Sequence, residues 1–305
     1  MAMLKRGVYV AGLSELHDAQ NMFGLVSEFE QNATAKMLST SDGSSIRVLH
    51  LSAPAEGRNG ITILLLGGWD TRLDVWDSFL MELAKNFDVL FLETREKRSS
   101  VLNRDSIHHL DRASEDVREV LASFQVKKSS LVIYSLSWGA MVVADGLAKD
   151  KFQPRLAVLA GPIGELPLPF LTRYLIAFAP LWLLRLLIQP IARFWIAKVT
   201  GGEREANAKL RILNEADLEK WYLVAKNVSR YEYWYLYTKI RTKCLILYSK
   251  DDGFHEASKV TRIIQLMNCC TAIEISGSDK LVSPFVANIV REHAEEACRL
   301  RSRPA

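Results

Sequence analysis

The chain has 305 residues, of which 49% are hydrophobic and 24% charged, and its formal net charge is +4. This balance excludes a disordered or fibrous chain and predicts a globular protein with a sizeable core, in one large domain or two small ones. The charge excess is small and no predicted element carries a basic stripe, so we expect no nucleic-acid partner.

We interpret residues 1–34 as an N-terminal extension that precedes the folded core. Its start is basic, but its apolar run is short and soon meets Glu15 and Asp18, unlike a secretory signal. The four cysteines lack the CxxC spacing and fit a reducing compartment. We therefore expect a cytoplasmic protein.

Short apolar runs alternate with helical patterns along most of the chain. Apolar and polar residues alternate on both sides of Ser41-Asp42-Gly43, and this pattern predicts a hairpin over residues 36–51. Helical periodicity covers residues 73–87 and 105–124. Continuous apolar runs predict buried strands over 61–66, 89–92, 131–134, 156–160, 244–248 and 271–275. The pattern predicts an α/β fold, with a mostly parallel sheet, helices on both faces and ligand-binding loops at the carboxyl edge.

The segment around Ser137 predicts a strand, a sharp turn and a helix, and its centre reads Ser135-Leu136-Ser137-Trp138-Gly139. The residues two before and two after such a turn must be small, because strand and helix approach each other closely there. Ser135 and Gly139 meet that demand. The first amides of the following helix point at the space above Ser137, which favours an oxyanion there.

This segment resembles the nucleophile elbow of the α/β-hydrolase superfamily, which reads G-x-S-x-G, with Ser135 in place of the first glycine. The resemblance extends along nearly the whole chain. It implies an α/β-hydrolase fold with Ser137 as the nucleophile, and we expect neither a cofactor nor a metal ion.

Two amides of the predicted oxyanion hole follow from the same resemblance. The segment Leu66-Gly67-Gly68-Trp69-Asp70 is similar to the family's His-Gly loop, with Gly67 in place of the histidine. The resemblance implies that the main-chain amides of Trp69 and Trp138 bind the oxyanion.

Two further loops are similar to the family's. Residues 93–99 stand where the family has D-x-R-G-x-G-x-S, and here Arg95 and Ser99 match while both glycines are absent. Residues 249–255 stand where it has G-x-x-D, which implies that Asp252 is the acid of a catalytic triad. A turn or helix-cap role is the alternative for this aspartate.

The base of the triad is absent from its usual place. The family carries a histidine in the loop after the last strand, but residues 275–284 contain none, and the slot falls on Asp279 or Lys280. Lys280 is a base only when neutral, and a nearby Asp252 would keep it protonated. We therefore expect an Asp252–Lys280 ion pair in place of an Asp–His pair, and leave the base unassigned.

Other histidines are candidate substitutes for the base. His255 follows Asp252 closely and lies at the correct edge of the sheet, but it reaches Ser137 only if its loop bends inward, so we expect it on the loop surface. His108 and His109 are expected on the surface at the start of the helix after the second parallel run.

The segment 163–239 interrupts the α/β core, which we assign to 35–162 and 240–305. In the resembling family an insertion here is a helical cap. Its first half is very apolar, yet its longest uncharged stretch is eleven residues, below the roughly 20 that a membrane span needs. We expect a cap packed on the core; the sharper hypothesis is an apolar tunnel for an acyl or prenyl-like chain, with peripheral contact to a membrane surface through cap arginines.

Two functions follow from these residues. The first is a serine hydrolase of the esterase, lipase or thioesterase type that acts on a hydrophobic ester through Ser137. The second is a catalytically inactive relative that binds an apolar ligand or a protein partner through the cap. The elbow and the acid favour the first, whereas the missing histidines and glycines favour the second.

Overall fold

The structure, a computed structural model, describes residues 27–69, 71–106, 108–166, 217–229, 231–253 and 255–299, with six positions between 176 and 186. The predicted extension up to residue 26 and most of the predicted cap therefore lie outside the described residues. Element numbers below count only the described helices and strands.

In the described residues the sheet has eight strands in the order β1-β2-β4-β3-β5-β6-β7-β8. The hairpin β1–β2 pairs antiparallel with itself and with β4, and all later pairings are parallel. The strands are β1 Thr34–Ser39, β2 Ser45–Leu51, β3 Thr62–Leu66, β4 Asp88–Leu92, β5 Leu131–Leu136, β6 Leu156–Ala160, β7 Cys244–Tyr248 and β8 Cys270–Glu274. The predicted mostly parallel sheet is confirmed.

Helices cover both faces of this sheet, which explains why the inner parallel strands are apolar throughout. Two separate clusters of buried side chains lie on the two faces, and each fully buried Leu, Ile or Val contributes roughly 1.5–3 kcal/mol. The helices are α1 Glu28–Asn32, α2 Leu73–Ala84, α3 Leu110–Ser123, α4 Trp138–Ala148, α5 Leu218–Val228, α6 Trp234–Tyr237, α7 Ala257–Leu266 and α8 Pro284–Arg299.

Helix α3 begins later than its sequence pattern predicts, at Leu110 instead of residue 105. The preceding loop is held against the hairpin turn, since Asn103 donates through its main-chain amide to Ser44 Oγ at 3.1 Å and through its side chain to Asp42 O at 3.0 Å. The backbone is still extended at His109, with φ −85° and ψ 156°, and Leu110 is the first side chain of the helix to reach the core.

The parallel strands β3 to β8 all end at the same edge of the sheet. Their following loops therefore gather there, as the alternation of strands and helices predicts. Within the described parts of the chain, no helix has both the length and the apolar character that a bilayer crossing requires.

Candidate active site at the carboxyl edge of the sheet

Ser137 lies on a sharp turn between β5 and α4 with φ 54° and ψ −113°. Its amide donates to Ala160 O at 3.0 Å, which fixes the turn to the end of β6. A β-carbon at Gly139 would lie 2.7 Å from the carbonyl oxygens of Leu66 and Gly67, so no larger residue fits without displacing the neighbouring loop. This is the strained, closely packed turn that the motif predicts.

The two predicted oxyanion amides belong to adjoining loops. Trp138 is the first residue of α4, and Trp69 lies in the loop after β3. Their rings are 5.6 Å apart. Neither main-chain amide donates to an acceptor within the part of the chain that the structure describes, so both are available to a ligand oxygen.

Asp252 pairs with His255, three residues further along the loop after β7. The ring Nδ1 lies 2.7 Å from Asp252 Oδ2, and the His255 amide donates to Oδ1 at 3.0 Å. The side chains are 14% and 6% exposed for His255 and Asp252. The surface position that we expected for His255 is therefore wrong, because the carboxylate holds both its main chain and its ring inward.

The His255 ring packs against the end of β6, next to the elbow. A β-carbon at Gly161 would be 3.1 Å from His255 Cγ, and the φ of Gly161 is +48°, so a glycine is favoured here and any side chain would push the ring away by a few tenths of an ångström. Gly161 follows Ala160, whose carbonyl binds the Ser137 amide. Ser137 and His255 are thus both placed by the short segment Ala160-Gly161, and His255 Nε2 forms no hydrogen bond with the described residues.

The expected Asp252–Lys280 ion pair is wrong as well. Lys280 lies in a 3₁₀ helix, Ser278–Val282, with an exposed side chain. It forms no ion pair with any described residue, whereas Asp252 pairs with His255. His255 is only three residues from Asp252 and binds its carboxylate within one loop, whereas Lys280 would have to approach from a separate loop. This short sequence separation is the physical reason why His255 is the partner.

His108 is buried, contrary to its predicted surface position. It precedes α3 and lies near Arg95, and its Nε2 is 3.1 Å from Ser106 Oγ. Burial, helped by the Arg95 charge, lowers the pKa of His108 to about 4, so its ring is neutral at pH 7. It is a neutral side chain of the core and not a partner of Asp252.

The loop after β4 carries a buried acid, Glu96, at the position of the first of the two glycines in the resembling family. Glu96 is completely buried, and Thr94 Oγ1 donates to its Oε1. Burial raises the pKa of the Glu96 carboxyl. The indole nitrogen of Trp69 is buried without a hydrogen-bond partner among the described residues. The side chain of Trp138 acts on the Glu96 carboxyl and lowers its pKa against the effect of burial.

The described part of the predicted cap contributes one aromatic ring to the site. Trp221 of α5 stacks on Trp69 at 6.0 Å and 25°. Trp234 and Tyr237 are buried in the core. A cavity of about 10 Å³, the space of one water molecule, lies beside His255 and Lys259.

Metal ligands do not gather in this region. The described residues contain no group of three or more histidine, cysteine or acidic side chains placed to hold a metal ion.

Comparison with known proteins identifies the architecture. No protein-family model matches the sequence, and no curated protein matches it. Among solved structures, a hydrolase from Pseudomonas aeruginosa PA01 matches with a TM-score of 0.68 at 18% identity, over 86% of this chain and 98% of that one. An esterase from Exiguobacterium antarcticum matches with a TM-score of 0.69 at 11% identity, over 87% and 99%.

A bacterial membrane phospholipase A also matches, with a TM-score of 0.66 at 14% identity, over 94% of this chain and 92% of that one. At such identities the likeness establishes a common fold and leaves the chemistry to be argued from the site.

Proposed function

We propose that this protein, which has the α/β-hydrolase fold, is a serine hydrolase that cleaves hydrophobic carboxylic esters or thioesters. Ser137 is the nucleophile, His255 the base and Asp252 the acid. The amides of Trp69 and Trp138 bind the oxyanion. The names of two similar structures, an esterase and a phospholipase, support ester chemistry.

The Asp252–His255 pair beside the elbow is the observation that carries this proposal. A serine hydroxyl is a poor nucleophile without a base, and the missing histidine was the main argument against activity. Asp252 binds His255 through Nδ1 at 2.7 Å, which leaves Nε2 for the serine. That is the orientation in which a triad aspartate holds its histidine.

The reaction then proceeds in two steps. His255 Nε2 takes the proton of Ser137 Oγ as the oxygen attacks the substrate carbonyl, and it returns the proton to the leaving alcohol or thiol. Water hydrolyses the acyl-enzyme with the same base. The negative charge on the carbonyl oxygen is met by the two main-chain amides. Base and nucleophile must come within about 3 Å in the substrate complex.

Activity on p-nitrophenyl esters of increasing acyl length tests this function. We expect hydrolysis by the wild type and a loss of about 10³-fold or more in kcat for Ser137→Ala and for His255→Gln. His293→Gln is the matched control, because His293 lies in α8 and binds Ile289 O through Nδ1 at 2.9 Å. A preference for longer acyl chains supports the apolar tunnel.

A fluorophosphonate probe separates the alternatives, because labelling requires an activated serine. Wild type that neither hydrolyses esters nor is labelled at Ser137 would overturn the hydrolase and leave the inactive, ligand-binding relative. Labelling that persists in His255→Gln would assign the base to another side chain.

We also propose that the cap binds the surface of an anionic membrane. Phe178, Trp182 and Leu186 follow each other at intervals of four residues, and their side chains are 73%, 65% and 67% exposed. Residues 166–202 contain four basic and no acidic residues. Exposed apolar side chains in a basic segment are typical of interfacial binding, and a substrate of low water solubility would be met at such a surface.

A further inference from the structure

The amino group of Lys97 lies against the loop that carries the first oxyanion amide. Its Nζ donates to three main-chain carbonyls of that loop, Gly68 O at 2.8 Å, Trp69 O at 2.7 Å and Thr71 O at 3.3 Å. Three bonds from one ammonium group to three peptide units of the same loop fix the orientation of the loop far more than one bond would.

The bond to Gly68 O has a direct consequence for the Trp69 amide. These two groups belong to one peptide unit, which is planar and trans, so its C=O and N–H point in opposite directions. With the carbonyl bound to Lys97 and to the Thr71 amide at 3.2 Å, the N–H of Trp69 must point away from Lys97.

The position before this peptide cannot hold a side chain. A β-carbon at Gly67 would lie 2.3 Å from Thr71 Oγ1 and 2.5 Å from Thr71 Cβ. Gly67 stands where the resembling family has the histidine that organises this loop. Here Thr71 fills the space above the glycine, and the ammonium group that holds the carbonyls of this loop comes from Lys97.

We propose that Lys97 is a positioning residue that aims the Trp69 amide at the oxyanion, in place of the missing loop histidine. The inference rests on the proposed hydrolase function. Lys97 itself does not touch the substrate; it acts through the peptide unit that joins Gly68 and Trp69.

The main chain of Lys97 is itself fixed by hydrogen bonds. Its amide donates to Thr94 O at 2.9 Å, and its carbonyl accepts from Ser100 Oγ at 2.9 Å. Lys220 of α5 also donates to the Lys97 carbonyl, at 3.0 Å. The lysine that holds the oxyanion loop is therefore itself held by the loop after β4 and by a helix of the predicted cap segment.

Lys97→Met tests the proposal, since it keeps the length of the side chain and removes the donors. We expect kcat for p-nitrophenyl esters to fall about 10- to 100-fold, less than the about 10²- to 10³-fold loss from removing an oxyanion donor, with KM changed less than about threefold. Inhibition by an alkyl boronic acid, which forms a tetrahedral adduct, should weaken in parallel. Lys97→Arg, which keeps donors, should restore most of kcat.

Hydrogen exchange of the segment 66–72 is measured on the same variants without substrate. We expect exchange in this segment to be at least about tenfold faster in Lys97→Met. The control is Lys151→Met, which removes an equally well-bonded lysine at the far end of α4, where Nζ donates to Asp111 O at 2.6 Å and Ser114 Oγ at 2.9 Å. It should leave kcat and this exchange unchanged.

Two results would contradict the proposal. One is unchanged exchange in Lys97→Met; the other is a kcat loss no larger than that of Lys151→Met. Should Lys97→Met not fold, Lys97→Ala, which also removes the donors, serves in its place. Wild type without esterase activity would overturn the proposed function, while the exchange comparison would still decide whether Lys97 holds the loop.

Discussion

At Ser137 the main chain adopts φ 54° and ψ −113°, a conformation that costs an L-amino acid about 1–3 kcal/mol. Two contacts maintain it, the hydrogen bond from the Ser137 amide to Ala160 O and the close approach of Gly139 to the loop after β3. Strain of this kind is kept where it projects a side chain into a site, which supports the role that we propose for the serine hydroxyl.

Replacing Ser137 with glycine should therefore stabilise the protein. Glycine accepts this conformation without strain, although its more flexible unfolded chain offsets about 0.4–1 kcal/mol. We expect Ser137→Gly to unfold with a free energy about 0.5–2 kcal/mol higher than Ser137→Ala, which keeps the strain and also lacks the hydroxyl. Urea denaturation of both variants measures the difference, and equal stabilities would show that the turn is unstrained.

At the scale of the elements, Arg95 joins three parts of the fold. It is 1% exposed and forms two hydrogen bonds with Asp116 of α3, from Nε at 2.7 Å and from Nη2 at 2.8 Å. It also contacts Asp42 of the hairpin turn at 3.1 Å. The arginine that matches the family's turn is thus a structural tie between the hairpin, the loop after β4 and helix α3.

Arg95→Met should destabilise the protein by about 1–3 kcal/mol, because it removes two charge-assisted hydrogen bonds from the buried carboxylate of Asp116, which keeps its ion pair with Arg112 at 2.8 Å. The control is Arg118→Met, which breaks the more exposed pair with Glu115, where the side chains are 47% and 26% exposed. That change should cost less than about 1 kcal/mol. Similar losses of unfolding free energy in the two variants, measured by urea denaturation, would show that Arg95 does not connect these three parts of the fold.

At the scale of the whole molecule, the proposed membrane contact puts two requirements on one segment. Its apolar side chains must be exposed, as Phe178, Trp182 and Leu186 are, and its charge must attract anionic lipid. Both requirements concern the segment between β6 and β7, which also brings Trp221 onto Trp69. The same part of the chain would then contact the lipid surface and border the proposed active site.

Co-sedimentation with lipid vesicles tests this contact. We expect binding to vesicles rich in phosphatidylglycerol, weaker binding to pure phosphatidylcholine, and a decrease as salt rises. Trp182→Glu should weaken binding at least about tenfold, whereas Met37→Glu, at another exposed apolar side chain on β1, should not. Equal binding of both variants, or binding to neither kind of vesicle, would refute the membrane contact.

The sequence by itself determined the strands, the hairpin, the mostly parallel sheet and the turn at Ser137. Burial on both faces makes each parallel strand continuously apolar, and the close approach at the elbow permits only small residues at 135 and 139. Such constraints restrict the residue types at neighbouring positions of the chain, so they can be read from local patterns.

Only the tertiary structure decided which side chains meet at the site. His255 could have been suspected from its three-residue spacing after Asp252, because an aspartate in a cap position accepts the amide two or three residues on. The place of its ring beside Gly161, the exposure of Lys280 and the three carbonyls at Lys97 depend on the courses of separate loops. Those courses are fixed by contacts between residues far apart in sequence, which no local pattern records.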